Sequence, residues 1–258
     1  APAAGAIVDR RIVACATGRR GGVSRAPWDS CNLSFGVGDD PAAVLENRRR
    51  VCAALGFDLD DLVVANQVHG AEVVVVDGSH RGTGATDGGA VADADALVTA
   101  TPGLLLGVLL ADCVPVVLVD RVRGAVGVAH AGWRGTVAHM VRRTVDTMVE
   151  QLGCRIDDLH ASIGPSIGPA SYEVGADVID AATVAFPADA PVLRRGADGR
   201  TTFDLWAANA FDLRSCGIDE RRIARAEVDT FTSTDRFFSH RAGAPTGRFM
   251  ALVGRRAA

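Results

Sequence analysis

Three short segments place reactive residue types beside turns. The first is Asn66-Gln67-Val68-His69-Gly70. The second is Leu110-Ala111-Asp112-Cys113-Val114-Pro115, where a polar pair interrupts two apolar runs. The third is Val128-Ala129-His130-Ala131-Gly132-Trp133-Arg134-Gly135. Two imidazoles and a thiol (His69, Cys113, His130) make a donor set that suits Zn²⁺. Three protein ligands would leave the fourth position open, as in a catalytic site. The same residues also fit a Cys-His nucleophilic pair. Their wide spacing separates neither reading, because neighbouring strands gather ligands from anywhere in a chain. Taken singly, each residue also has a plainer role, the thiol as a small hydrophobe and a lone His as a satisfied core residue. His130 is more pointed. It precedes a Gly-rich turn and an expected helix N-terminus, where backbone N–H groups favour an anion, and Arg134 adds a guanidinium. The plainer reading there is tight packing at Gly132 and Gly135 around a core Trp133.

The elements that must position these residues are mostly strands. Short β-branched runs at 11–16, 96–100, 104–110, 114–120 and 125–129 read as strands buried on both faces. Further strands are expected at 160–163, 224–229 and 249–253. Residues 62–68 and 72–77 flank His69-Gly70-Ala71 and read as a bent strand or tight hairpin. Helices are expected at 41–55, opened by Asp40 and Pro41, and at 136–152, 176–185 and 204–216. In 136–152 the Val and Met residues recur at helical spacing and read as core packing. The Gly-rich stretch 78–89 reads as a surface loop. Many strands with intermittent helices point to an α+β fold, a layered sandwich with mixed sheets, in one domain over 1–258.

Composition narrows the function. Hydrophobic residues make up 48% and charged residues 22% of 258 residues, which excludes wholesale disorder. Net charge is −4, without the basic cluster a nucleic-acid binder needs. All 27 basic residues are Arg, so no lysine can form a Schiff base. The six cysteines are scattered without a CxxC pair and read as free thiols of a reducing compartment. Residues 1–11 lack a leader pattern and no apolar run is long enough to span a membrane, so a cytoplasmic protein is expected. His139 and His160 read as solvated or structural, His80 as a loop residue, and the cysteines other than Cys113 as structural thiols.

NQVHG, ADCVPV, HAGWRGT, IGPSIGPASYEVG, FDLWAAN and FFSHRAGAPTGRFMALV occur in this order, with NLSFGVGDDPAAVLENRRR ahead of them. In this the chain resembles the YfiH family, also known as the laccase-domain, polyphenol-oxidase-like or PgeF (peptidoglycan editing factor) family. The resemblance covers roughly residues 25–254. It implies a compact layered fold related to cysteine-hydrolase-like proteins, and a zinc site formed by His69, Cys113 and His130. It also implies phosphorolysis of adenosine, inosine and methylthioadenosine to free base and a ribose 1-phosphate, with adenosine deamination in some members. Two positions depart from the family pattern. Phe231-Thr232 stands where a Cys-Thr pair is usual, and His240 stands at a Tyr.

On that reading the substrates are a purine nucleoside and phosphate, and the protein is a monomer or small homo-oligomer. Arg134 and the backbone of 132–136 are the candidates for the phosphate. Asp112 would orient a ligand or shuttle a proton, or simply bond at a strand end. Gln67, Asn47 and Arg48 are further pocket candidates, although Asn47 and Arg48 also fit an ordinary helix surface. Deamination would need activated water, but the HxE and PCxxC pattern of the zinc deaminases is absent. Copper is the less favoured metal. The chain has six His and no His-X-His, so a multicopper cluster lacks ligands, although His₂Cys alone could mimic a blue-copper site. The other readings are a Cys-His amidase or editing hydrolase and a non-enzymatic binding module.

Overall fold

The computed structural model describes residues 11–91 and 93–257. The N-terminal stretch read for a leader therefore lies outside the described residues, apart from Arg11. In chain order the strands are β1 (Ile12–Ala16), β2 (Leu62–Val64), β3 (Val73–Val75), β4 (Ala96–Thr99), β5 (Leu105–Leu110) and β6 (Val114–Asp120). They continue with β7 (Val126–Ala131), β8 (Leu159–Ile163), β9 (Leu193–Arg195), β10 (Thr201–Phe203), β11 (Ile223–Arg225) and β12 (Phe249–Arg255). The helices are α1 (Pro41–Leu55), α2 (Trp133–Val137), α3 (Met140–Leu152), α4 (Ala176–Ala185) and α5 (Leu205–Ser215).

Two mixed sheets dominate, one ordered β1-β12-β5-β2 and the other β11-β8-β6-β7-β4-β3, with β9 and β10 as a separate hairpin. Side-chain alternation along the strands builds the layers. On β5, Leu106, Val108 and Leu110 enter a core shared with Val117 and Val119 of β6 and Val126 and Val128 of β7. Leu105 points the other way, toward Cys52 of α1 and Phe57. On the far side of the larger sheet, Val116, Leu118 and Ala129 pack against Val141, Val145 and Met148 of α3 and Leu213 of α5. The result is helix, sheet, sheet, helix, the layered α+β sandwich expected. Strands with both faces covered read as unbroken apolar runs, which is why they were visible in the sequence.

Two local expectations are corrected. β2 and β3 do not form a hairpin, nor are they one bent strand. β2 runs parallel to β5 in the four-stranded sheet, and β3 runs parallel to β4 in the six-stranded one. The turn around His69 therefore carries the chain from one sheet to the other. The helix expected over 136–152 is broken in two. His139 takes left-handed backbone, φ 56°, and donates or accepts at 2.9 Å with the buried Asp212 of α5, which holds the break. The hairpin of β9 and β10 was not anticipated, since strands of three residues carry little period-two signal. No described helix is long and apolar enough to cross a membrane.

Leu106→Ala would open a cavity between the two sheets. It is expected to lower stability by about 2–5 kcal/mol in denaturant unfolding.

Candidate metal centre and its cavity

Strand order explains how residues so distant in sequence meet. β6, β7, β4 and β3 are consecutive neighbours in the larger sheet. Register places Pro115 opposite His130, Ala96 opposite Ala129 and Val73 opposite Ala96. Cys113 just before β6, His130 near the end of β7, Asp95 just before β4 and His69 ahead of β3 thus line one edge of one sheet. The nitrogen and sulfur donors of His69, Cys113 and His130 all lie within 4.8 Å of one another. Among the described residues this is the one such group of three or more His, Cys, Asp or Glu side chains. The two imidazoles meet edge to face, centroids 4.9 Å apart.

Asp95, which the sequence reading missed, organises the cluster. It is fully buried. His130 Nδ1 donates to its Oδ1 at 2.8 Å, which leaves Nε2 for a metal or for the thiol. The backbone N–H groups of Val68, His69 and Gly70 donate to the same carboxylate at 3.3, 3.1 and 2.6 Å. His69 has φ 59°, and a turn with successive inward N–H groups forms a nest for an anion. Here the anion is the protein's own carboxylate. Burial alone would raise the Asp95 carboxyl, but these bonds hold it below the usual range. Burial would likewise raise the Cys113 thiol; His130 and His69 outweigh it and bring it down to about 6. Burial opposes the charge on His130, whereas Cys113 and Asp95 together lift it to about 9. Without a metal, each group thus favours the charged form of the other.

Space at the donors is limited by the turn after β7. A Cβ added at Gly132 would meet Cys113 Sγ at 3.0 Å and His69 Cδ2 at 3.2 Å, so only glycine leaves the donors room. The set opens into a cavity of about 620 Å³ lined also by Gln67, Arg48, Arg248, His240 and Asp87. Part of the stretch read as a surface loop forms this wall, since Gly84, Thr86, Asp87 and Gly89 line it. Gly84 is held there by φ +77° and by contact with Val64, where a Cβ would meet the carbonyl at 2.5 Å.

The remaining candidates divide. Arg48 lines the cavity and is buried, not on a helix surface; it donates to the Leu33 and Ala85 carbonyls and stacks on Phe35. Burial lowers its guanidinium only to about 10, so it stays charged. Arg248, missed in the sequence reading, joins it in the wall. Gln67 lines the cavity, but its amide is spent on the backbone of Leu109, 2.9 Å as donor and 2.6 Å as acceptor, extending the ladder beyond β2. Asn47 is buried as well, and it does not reach the cavity. It ties Ser24, Ser30 and Asn32 together and accepts from Val23 N–H. Arg134 is exposed, stacks on Trp133 and is not among the residues that line the cavity. The helix behind it has only five residues, so the anion site expected at its N-terminus lacks a helix to support it. Asp112 has both carboxylate oxygens engaged, by Thr230 and by Arg241 N–H. Of the two departures from the family pattern, His240 lines the cavity and Phe231 lies in a separate groove. His139 and His80 pair with Asp212 and Asp77, in agreement with structural roles. Burial raises the thiols of Cys15, Cys31, Cys52, Cys154 and Cys216, so Cys113 is the one cysteine shifted toward thiolate.

Asp95→Asn keeps the shape but weakens acceptance from His130 and the 68–70 turn. Zinc affinity, read by competition with a chromophoric chelator, is expected to fall roughly 10–100-fold. Gly132→Ala should lower it in the same assay, with the far-UV dichroism unchanged.

The family model described as multi-copper polyphenol oxidoreductase laccase matches residues 13–256. The chain is 39% identical over 247 residues to purine nucleoside phosphorylase YlmD of Geobacillus stearothermophilus, covering 95% of this chain and 90% of that one. The crystal structure of that YlmD superposes with a TM-score of 0.92 over 96% of this chain and 93% of that one, at 38% identity. A protein named adenosine deaminase RL5, from an unknown prokaryotic organism, is 38% identical over 90% of this chain and 89% of its own. The crystal structure of the Bacillus licheniformis hypothetical protein YfiH superposes with a TM-score of 0.93 at 33% identity, covering 99% of this chain and 97% of that one. Matched along nearly its whole length in sequence and in fold, the chain belongs to the laccase-like YfiH family.

Proposed function

We propose that this protein is a zinc-dependent purine nucleoside phosphorylase, acting as one catalytic domain over 1–258. Its substrates are adenosine, inosine and methylthioadenosine, and adenosine deamination is a side activity. The observation that carries the reading is the His69, Cys113, His130 cluster opening on a cavity whose wall holds two arginines. The names of YlmD and RL5 support the same substrate class.

His69, Cys113 and His130 would hold the zinc, which would supply Lewis-acid stabilisation of developing negative charge. The chain's own residues do the rest. Arg48 and Arg248 give the cavity a fixed positive wall. Their Nε or Nη1 groups are committed to backbone carbonyls, while neither Nη2 has an intramolecular hydrogen bond among the described residues. Those free N–H groups suit phosphate, in place of the Arg134 site read from the sequence. Phosphate held there attacks the anomeric carbon: a C–O bond forms, the C–N bond breaks, and its electron pair leaves with the purine. Asp95 keeps His130 and the His69 turn fixed throughout, so no reorganisation is needed as charge develops. Copper would need more ligands for oxygen reduction than the six histidines supply, three of which lie outside the cavity.

One observation favours a second reading. The thiolate-imidazolium pair of Cys113 and His130 is the form a cysteine hydrolase uses. Metal content and adenosine turnover on one preparation separate the two. The phosphorylase is expected to carry about one zinc per chain, to release adenine only with phosphate, and to lose both with Cys113→Ala. Arg248→Ala should raise the KM for phosphate roughly tenfold while zinc stays bound. Metal-free protein that leaves adenosine intact, and whose thiol chemistry is blocked by alkylation, would turn the assignment to the hydrolase.

A further inference from the structure

Asp112 precedes the thiol of the cluster by one residue, and it has the backbone of a glycine: its φ is 94°. A residue with a Cβ stays in that region only when its surroundings hold it there. Three distant segments do so. Thr230 Oγ1 donates to Oδ1 at 2.7 Å, Arg241 N–H donates to Oδ2 at 2.7 Å, and Ile167 N–H donates to the Asp112 carbonyl at 2.9 Å. Thr230 is itself fully buried and its N–H is bound to the Ser166 carbonyl at 3.0 Å, so the donor is fixed before it meets the carboxylate. Arg241 follows His240, which lines the cavity. Both carboxylate oxygens are therefore engaged by the 230–241 segment. That arrangement has no use for a proton shuttle. It does join two walls of the site, because Asp112 shares a peptide bond with Cys113 and a hydrogen bond with the turn that carries His240.

We propose that Asp112 is a positioning residue: its carboxylate clamps the 230–241 segment to the β5–β6 turn and thereby fixes both the Cys113 sulfur and the His240 side of the cavity. The inference rests on the reading of His69, Cys113 and His130 as the metal donors. Without the clamp, residue 112 is free to relax toward negative φ, and the peptide it shares with Cys113 turns with it. The sulfur then leaves the position that the β6–β7 register gives it beside His130.

Three full-length variants test this. Asp112→Asn replaces one acceptor by an NH₂ that opposes a donor. Thr230→Val removes a single bond at nearly constant volume, and Thr230→Ser keeps it. Two quantities are read on each folded protein: zinc affinity by chelator competition, and the rate of Cys113 alkylation by iodoacetamide in metal-free protein, followed at the Cys113 peptide by mass spectrometry. Asp112→Asn is expected to cost roughly tenfold in zinc affinity and to change the alkylation rate several-fold. Thr230→Val should move both readouts the same way by less, and Thr230→Ser should restore both. Should Asp112→Asn fail to fold, the Thr230 pair decides alone. Wild-type values in Thr230→Val, or equal losses in Thr230→Val and Thr230→Ser, overturn the proposal. Wild-type protein that binds no zinc removes the metal reading, while the alkylation rates still decide the clamp.

Discussion

One buried carboxylate sets the geometry on which the rest of the site depends. Asp95 accepts from the ring of His130 and from three consecutive backbone N–H groups around His69, so it orients one donor directly and the other through its main chain. A charge with no exposed surface is costly unless it is fully bonded. The arrangement meets that condition with four donors, and the cost of breaking it falls on both histidines at once. Cys113 completes the group from the next strand over, and its thiolate is stabilised by the imidazolium that Asp95 sustains. The chemistry of the cluster is thus a property of four neighbouring strand ends, and no single motif contains it.

Much of this could be read from the chain alone, and the reasons are physical. Strands buried on both faces are apolar throughout, and the expected positions of β4 to β7 agree with the structure to within a residue or two. Helix α1 was legible because Asp40 caps it and Pro41 opens it. The break at His139 was not, since an apolar period continues across it and the left-handed residue is held by a tertiary partner 73 positions away. The hairpin expected around His69 failed for a related reason. Local pattern shows two short runs and a turn, but sheet membership is decided by β4 and β5, which lie further along.

The site divides in the same way. His69, Cys113 and His130 stand out because reactive types at strand ends are conspicuous. Asp95 lies in a run of Ala and Asp that resembles an ordinary turn, and the signal that could have found it is its place directly ahead of an apolar strand. Arg248 lies in the FFSHRAGAPTGRFMALV segment, and only the fold brings it to the cavity wall beside Arg48. The buried Asn47 and the half-buried Gln67 look like pocket residues by type, yet the amides of both are consumed by backbone groups. Arg134 was judged by a helix that proves too short to act as an anion site.

The cavity has a further property that follows from the two-sheet construction. Its donors belong to the larger sheet, whereas Arg248 leads into β12, and Gly84 rests on β2, of the smaller one. The site therefore lies where the two sheets meet, and the apolar layer between them sets the spacing of its walls. Any slide of one sheet over the other would change the distance between the arginine wall and the cluster. The layer under α3, on the far side of the larger sheet, is the one set apart from the arginine wall, since α1 itself carries Arg48.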